Sequence, residues 1–303
     1  MTDVKWREGM WMIMKEGDIV ARRSYGCDLI FRVTRMNESS QSAELVGEDM
    51  RLIADAPFDD LVLIDSSEQK MRREQSKEKE DYSFRLFRQD YQLLRMNREY
   101  TATSHFKKET SFFELPGKIL HIDGDPLYLS KCLEMYKRLG VPVYGLYMKE
   151  NEIPENIVKL VNNVRPDILV ITGHDAYSKH KGEKKDLQSY RNSRYFVRAV
   201  KEVRSVFPNL DHLVIFAGAC QSHFESLIRA GANFASSPSR INIHMLDPVF
   251  IVSKIALTSF TDHVNVWDAL RNTLTGEDGL GGVETKGILR TGMPMKENEN
   301  YSE

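Results

Sequence analysis

Four apolar runs between residues 118 and 220 constrain this chain more than any other feature: "KILHIDGD", "VPVYGLYM", "DILVITGHD" and "HLVIFAGAC". Each has the length and β-branched content of a strand buried on both faces, and helix-length segments separate them. Strand alternating with helix in this way specifies an open α/β domain with a mostly parallel sheet and helices on both sides. Asp125 before Pro126 predicts an N-cap and first helical position for "PLYLSKCLEMYKRL", with Gly140 as its end. "PENIVKLVNNV" and "SYRNSRYFVRAVKEVRSVF" read as the next two helices. "ANFASS" reads as a last short strand, and "DPVFIVSKIALTSF" and "NVWDALRNTLT" as further helices.

The organisation predicted from these patterns has four parts. Residues 1–65 hold short β-rich segments broken by turn residues, "GDIVARRSYGCDLIFRVTRM", "SAELVGED" and "MRLIADAPFDDLVLID", as in a small SH3-like β-barrel. Residues 66–112 are a charged helical linker. It begins with "SSEQKMRREQSKEKED", an exposed helix or flexible segment, and gains an apolar face at Phe84, Phe87, Tyr91 and Leu94. Residues 113–295 are the α/β domain, in which "GEDGLGGVETKG" reads as a mobile loop or a pair of turns, and residues 296–303 are a disordered tail.

Composition narrows the function. A hydrophobic fraction of 41% and a charged fraction of 28% describe a soluble globular chain, and the net charge of −2 argues against a nucleic-acid partner. No apolar run reaches the roughly 18 residues needed to span a bilayer, and the first residues lack the continuous apolar segment of a signal peptide. A cytoplasmic protein with no membrane partner is expected. Cys27, Cys132 and Cys220 are too widely spaced for a disulfide framework or a metal knuckle, so no metal and no cofactor are expected.

Cys220 lies just past a predicted strand and two residues before Ser222, which with Glu225 forms a capping box for the following helix. Backbone N–H groups at a helix start favour a thiolate, the nucleophilic form of cysteine. The neighbouring strand ends in Gly173-His174-Asp175, and one helical crossover between the two strands brings His174 and Cys220 to the same edge of the sheet. Such a pair suits acyl transfer, with Cys220 attacking a carbonyl and His174 moving the proton. Backbone N–H groups at Gly173, Gly218, Ala219 and Cys220 would form the oxyanion hole, and Ser236, Ser237, Ser239 and Arg240 would line the cleft. His223, at the helix start, is the weaker candidate base. Asp123 and Asp125 stand at another strand end, with Asp125 committed as a helix cap. His174 and His180 lack a third metal ligand at a supporting spacing.

The 46 residues between His174 and Cys220 lie close to the roughly 50 of caspases, so the α/β domain is similar to caspase-like cysteine peptidases. Asp175 follows the His where that group carries Gly, and has two candidate roles, orienting the imidazole or lining a pocket. Longer blocks, "DILVITGHDAYSK", "LVIFAGACQSHFESLIRAGANFASSPSRINIH" and "GDIVARRSYGCDLIFRV", closely resemble the YabG family of sporulation-specific cysteine proteases, a likeness running from the N-terminal module to "GGVETKGILRTGMP". The resemblance implies a cysteine endopeptidase of the mother cell of a sporulating bacterium, associated with the forming spore coat. It implies protein substrates in the coat and cortex and cleavage after basic residues, with Cys220 as nucleophile and His174 as base. Asp175 and Asp123 are the candidates for the acidic pocket that such specificity needs. A non-catalytic coat scaffold and a hydrolase of small amides are the competing classes, and the sequence leaves the oligomeric state open. The basic stretch "QKMRREQSKEKE" is the expected site of self-cleavage.

Overall fold

The computed structural model describes residues 14–103 and 112–292, so the expected tail at 296–303 lies outside the described residues. The first five strands, β1 (Ile19–Arg22), β2 (Ile30–Asn37), β3 (Ser42–Gly47), β4 (Ile53–Pro57) and β5 (Leu61–Leu63), form one antiparallel sheet in the order β4-β3-β2-β1-β5. Burial alternates along β3, as a sheet with one covered face requires. A single helix, α1 (Ser66–Thr103), follows it. Its charged first half holds together through pairs one turn apart, such as Glu68 with Arg72 at 2.7 Å, and the chain is helical throughout rather than flexible.

The second sheet has six strands in the order β13-β11-β10-β9-β7-β8. Five run parallel: β7 (Ile119–Asp123), β8 (Val143–Tyr147), β9 (Ile168–Thr172), β10 (Val214–Ala217) and β11 (Phe234–Ser236). The central β7, β9 and β10 are buried at every residue, which is why they read as continuous apolar runs. α2 (Pro126–Leu139), α3 (Ile153–Val164), α4 (Ser193–Val206), α5 (Phe224–Ala230), α6 (Asp247–Ala256) and α7 (Val266–Leu270) accompany this sheet. The predicted ends of α2 are present: the Asp125 carboxylate accepts the N–H groups of Leu127 and Tyr128, and Gly140 closes the helix in the left-handed region at φ 72°.

Two expectations need correction, and two small strand pairs were not foreseen. The Gly-rich stretch contains β13 (Leu280–Gly282), an antiparallel edge strand whose glycines let it close on β11, since a Cβ at Gly282 would meet the Phe234 ring. Two small pairs, β6 (Phe113–Leu115) with β15 (Arg290–Gly292) and β12 (His263–Val264) with β14 (Thr285–Lys286), have no periodicity long enough to read from sequence. The capping box fails because α5 starts at Phe224 with His223 as its N-cap; the Ser222 hydroxyl is used elsewhere.

The two sheets share one apolar core, which runs from Val20, Phe31 and Leu45 through Phe87 to Tyr136 and Phe250. Phe87 of α1 packs on Phe250 of α6 with ring centroids 6.0 Å apart, as the predicted apolar face requires. Arg73 and Arg72 tie the start of α1 to Glu48 and to the carbonyl of Cys27, and Tyr91 and Arg98 tie its far half to Glu114. No helix among the described residues is long and apolar enough to cross a membrane.

Where α1 meets the loop between β3 and β4, Glu80, Asp49 and His244 crowd together, with His244 Nε2 3.6 Å from Glu80 Oε1. Burial, then the neighbouring Asp49, pushes the Glu80 carboxyl up to about 7, and burial pushes His244 down to about 4. A carboxyl raised in the fold destabilises the fold only where it is ionised, so the cost appears as pH rises from the unfolded value of 4.5 and is complete above about 7. Glu80→Gln is therefore expected to raise the melting temperature at pH 8 by a few degrees, about 1–2 kcal/mol after solvent screening, and by almost nothing at pH 4.5. Thermal melts of both proteins across that range check it; equal melting temperatures at pH 8 would remove the claim.

Candidate active site

Parallel pairing sets the ends of β7, β9, β10 and β11 along one edge of the sheet. Ile171 faces Ala217, Asp123 faces Thr172, and the N–H of Gly218 reaches the Ile171 carbonyl. Past these ends come Gly124 and Asp125, Gly173 to Asp175, Gly218 to Cys220, and Ser236 with Ser237, so the residues singled out in sequence share one edge. The backbone is strained here: of six non-glycine residues with positive φ among the described residues, Gln221 (56°), Ser237 (69°) and Arg240 (59°) lie in the loops around Cys220.

His174 stands between two carboxylates. Its Nε2 lies 3.4 Å from Asp125 Oδ2, its Nδ1 lies 3.8 Å from Glu150 Oε1, and its ring packs on Tyr128 at 5.2 Å between centroids. Glu150 also accepts the His174 backbone N–H at 2.8 Å. A Cβ at Gly173 would sit 2.5 Å from that carboxylate, which explains the glycine by close approach rather than by its φ. No hydrogen bond joins His174 to Cys220, and His174 Nε2 is buried without a hydrogen-bond partner among the described residues.

Cys220 is wholly buried. Its Sγ accepts the N–H of Ile243 at 3.2 Å, and burial pushes the thiol well above its ordinary range. That corrects the expectation of a helix start favouring the thiolate: three residues separate Cys220 from the first residue of a seven-residue helix, and desolvation dominates. Asp175 does not reach the imidazole. Its buried carboxylate takes the N–H groups of Ala176 and Asn192 and the hydroxyls of Ser193 and Ser222, and burial raises it to about 6. It ties the loop after β9 to the start of α4 and to the turn after Cys220. Ser236 and Ser237 are fully buried. The Ser237 hydroxyl takes the Gln221 N–H and donates to the Ile241 carbonyl, while Ser239 is exposed. His223 is buried with Nε2 3.0 Å from the Lys185 carbonyl, and His180 is exposed.

The residue that sequence reasoning missed is Arg51, in the turn between β3 and β4. Its side chain is 0% exposed, with Nη1 2.7 Å from Asp123 Oδ2 and Nη2 3.0 Å from the Met245 carbonyl. Asp123 also takes the Thr172 hydroxyl and the Asp125 N–H. Burial alone would raise the Asp123 carboxyl; the Arg51 guanidinium more than offsets this and holds it far below the carboxylate range. The backbone of residues 49–52 is equally engaged. The Arg51 carbonyl accepts the N–H of Cys220 at 3.2 Å, and the Arg51 N–H donates to the Ile243 carbonyl at 3.2 Å. The Met245 N–H donates to the Asp49 carbonyl at 2.9 Å, Met50 pairs antiparallel with His244, and Leu52 pairs parallel with Asp175. Beyond Leu52 a cleft of about 870 Å³ opens between β4 and the loop after β9, lined by Ile53, Ala54, Tyr177 and Lys179 among others. His121, Asp123 and Cys132 bring ligand-type atoms within 4.8 Å of one another, but the Arg51 guanidinium already supplies the cation there.

Asp175→Ala leaves two backbone N–H groups and two hydroxyls without their acceptor, and is expected to cost about 2–4 kcal/mol in urea unfolding, whereas Ser222→Ala should cost about 1. Similar costs for both would contradict the tying role of the carboxylate.

The family model described as YabG peptidase U57 matches residues 15–294. The chain is 56% identical over 285 residues to the sporulation-specific protease YabG of Bacillus subtilis (strain 168), covering 93% of this chain and 98% of that protein. A match of that extent includes both sheets, α1 and the whole strand-end edge, and the chain belongs to the YabG peptidase family.

Proposed function

We propose that this peptidase is a cysteine endopeptidase, with a caspase-like α/β domain behind an SH3-like module, that cleaves proteins after arginine, with Cys220 as nucleophile and His174 as base. The observation that carries this reading is the seating of Arg51. A guanidinium rests on Asp123 while the carbonyl of the same residue takes the N–H of Cys220. Those are the two contacts that an arginine before a scissile bond needs, a carboxylate for its side chain and an oxyanion donor beside the nucleophile for its carbonyl. The carboxylate of the specificity pocket is thus Asp123, and Asp175 supports the loops.

In this reading a substrate strand lies antiparallel to residues 243–245, as residues 49–51 do. The Cys220 thiol loses its proton to His174 and attacks the arginine carbonyl. The C–N bond breaks, the amine leaves with the proton, and water then releases the arginine carboxylate from the thioester. Asp125 and Glu150, one at each ring nitrogen, stabilise the imidazolium formed in between. Gly218, at φ 116° and packed against Ser236 and Leu227, sets the direction of the turn that carries the Cys220 N–H. The sporulation role of the family and the coat and cortex proteins of the forming spore supply the substrates, in the mother cell.

Wild-type protein, Cys220→Ala and His174→Ala, each incubated with spore coat extract, test this by mass spectrometry of new termini. Wild type is expected to create termini after Arg, and both variants to lose at least about 10³-fold in rate while keeping the wild-type circular dichroism. Cleavage by Cys220→Ala at the wild-type rate would remove the cysteine mechanism, and no cleavage by any of the three would favour a scaffold.

A further inference from the structure

The cleft that opens beyond Leu52 plays no part in the chemistry at Cys220, yet it begins where that chemistry ends. A substrate arginine seated as Arg51 is, with its side chain on Asp123 and its carbonyl at the N–H of Cys220, sends its next residue to the place of Leu52, beside Asp175. From there the cleft runs between β4 and the loop of residues 176–184. Its volume of about 870 Å³ is of the size that encloses a drug-sized ligand, and so a short stretch of extended peptide. β4 is an outer strand of its sheet, and because Leu52 turns its carbonyl to Gly47, Ile53 and Asp55 turn their backbone groups away from β3.

We propose that this cleft receives the residues that follow the scissile arginine, and that Lys179, Lys181 and Lys184 make it select substrates with acidic side chains there. The inference rests on the peptidase reading above and names the half of the substrate that Asp123 does not touch. All three lysines line the cleft, are exposed, and have no ion-pair partner among the described residues. The arginines of the wall are spent: Arg22 on Asp60 at 2.8 Å, Arg191 on Glu44 at 3.2 Å and Asp55 at 3.4 Å, and Arg240 on Glu225. Asp28 is the lining carboxylate left against the lysines, so the cleft carries an excess of positive charge that the described residues do not balance.

These lysines sit on a braced loop. The Ser178 N–H donates to the Ser189 carbonyl at 2.9 Å, the Tyr177 hydroxyl to the Gly182 carbonyl at 3.0 Å, and the Tyr190 hydroxyl to the Lys184 carbonyl at 2.6 Å. The two tyrosine rings pack with centroids 5.4 Å apart, and the Tyr177 N–H donates to Gln221 Oε1 at 3.1 Å, one residue past Cys220. The lysine side chains therefore start from fixed backbone along the exit path. A carboxylate on the departing half of the substrate meets them inside a cleft, where a charge pair gains more than on an open surface. Such pairs steer arrival as well as hold, so the selectivity weakens as salt rises.

Matched internally quenched peptides test this with the full chain. They are identical through the arginine and a following leucine, and then carry a run of glutamates, glutamines or lysines; product masses establish the bond cut. Wild type is expected to cleave them in the order Glu, Gln, Lys, with kcat/KM for the Glu peptide about tenfold above the Gln one near 0.05 M salt and only about twofold above it near 0.5 M. The variant with Lys179→Glu, Lys181→Glu and Lys184→Glu loses no side-chain bond among the described residues, so it should fold, and it should invert the order. Equal rates for all peptides with cuts after Arg, or a Glu advantage that neither salt nor the triple substitution reduces, would overturn this inference and leave the peptidase reading intact. Wild type that cuts none of the peptides would overturn that reading and this inference with it.

Discussion

Arg51 and Asp123 form an ion pair with no exposed surface on either side chain, and taking two charges out of water costs several kcal/mol each unless every remaining donor and acceptor is met. Here nearly all are. The guanidinium spends its other donors on the Met245 carbonyl and Cys132 Sγ, and the carboxylate takes a hydroxyl and a backbone N–H as well. The pair therefore works as a fixed point between two sheets 72 residues apart in sequence. The turn after β3, the end of β7, the start of α2 and the loop before α6 all converge on it. Removing either partner alone would leave an uncompensated buried charge, so this juncture cannot drift one residue in register.

The same pair shapes the chemistry beside it. With residues 49–52 in the cleft, Cys220 is sealed from water and its thiol stays protonated, and the imidazole of His174 stays among Asp125, Glu150 and Tyr128 without bonding the sulfur. In the mechanism proposed above, this is a resting arrangement in which desolvation keeps the Cys220 thiol neutral.

What the sequence made legible follows from range. β7, β9 and β10 announce themselves because strands buried on both faces must be apolar at every position, and α2 because Asp125, Pro126 and Gly140 act on their own neighbours. Placing His174 and Cys220 on one edge needed only the rule for parallel crossovers. What stayed hidden depends on partners far away. Arg51 reads as an ordinary turn residue until Asp123 is beside it, Glu150 has no local signature, and Asp125 looks fully committed as a cap although its second oxygen faces His174. The Ser222 cap failed for the same reason, since Asp175 claims that hydroxyl from 47 residues away. β13 was missed because its glycines, which look like a mobile loop, are what permits its approach to β11.

The central claim is that Cys220 attacks a carbonyl whose arginine side chain rests on Asp123. Incubation with peptidyl-arginyl and matched peptidyl-leucyl acyloxymethyl ketones, followed by peptide mapping of all three cysteines, tests it most directly. The account predicts one adduct, on Cys220, with the arginyl reagent at least about tenfold faster than the leucyl one. Equal rates for the two reagents, or an adduct on Cys27 or Cys132 with Cys220 unmodified, would contradict it.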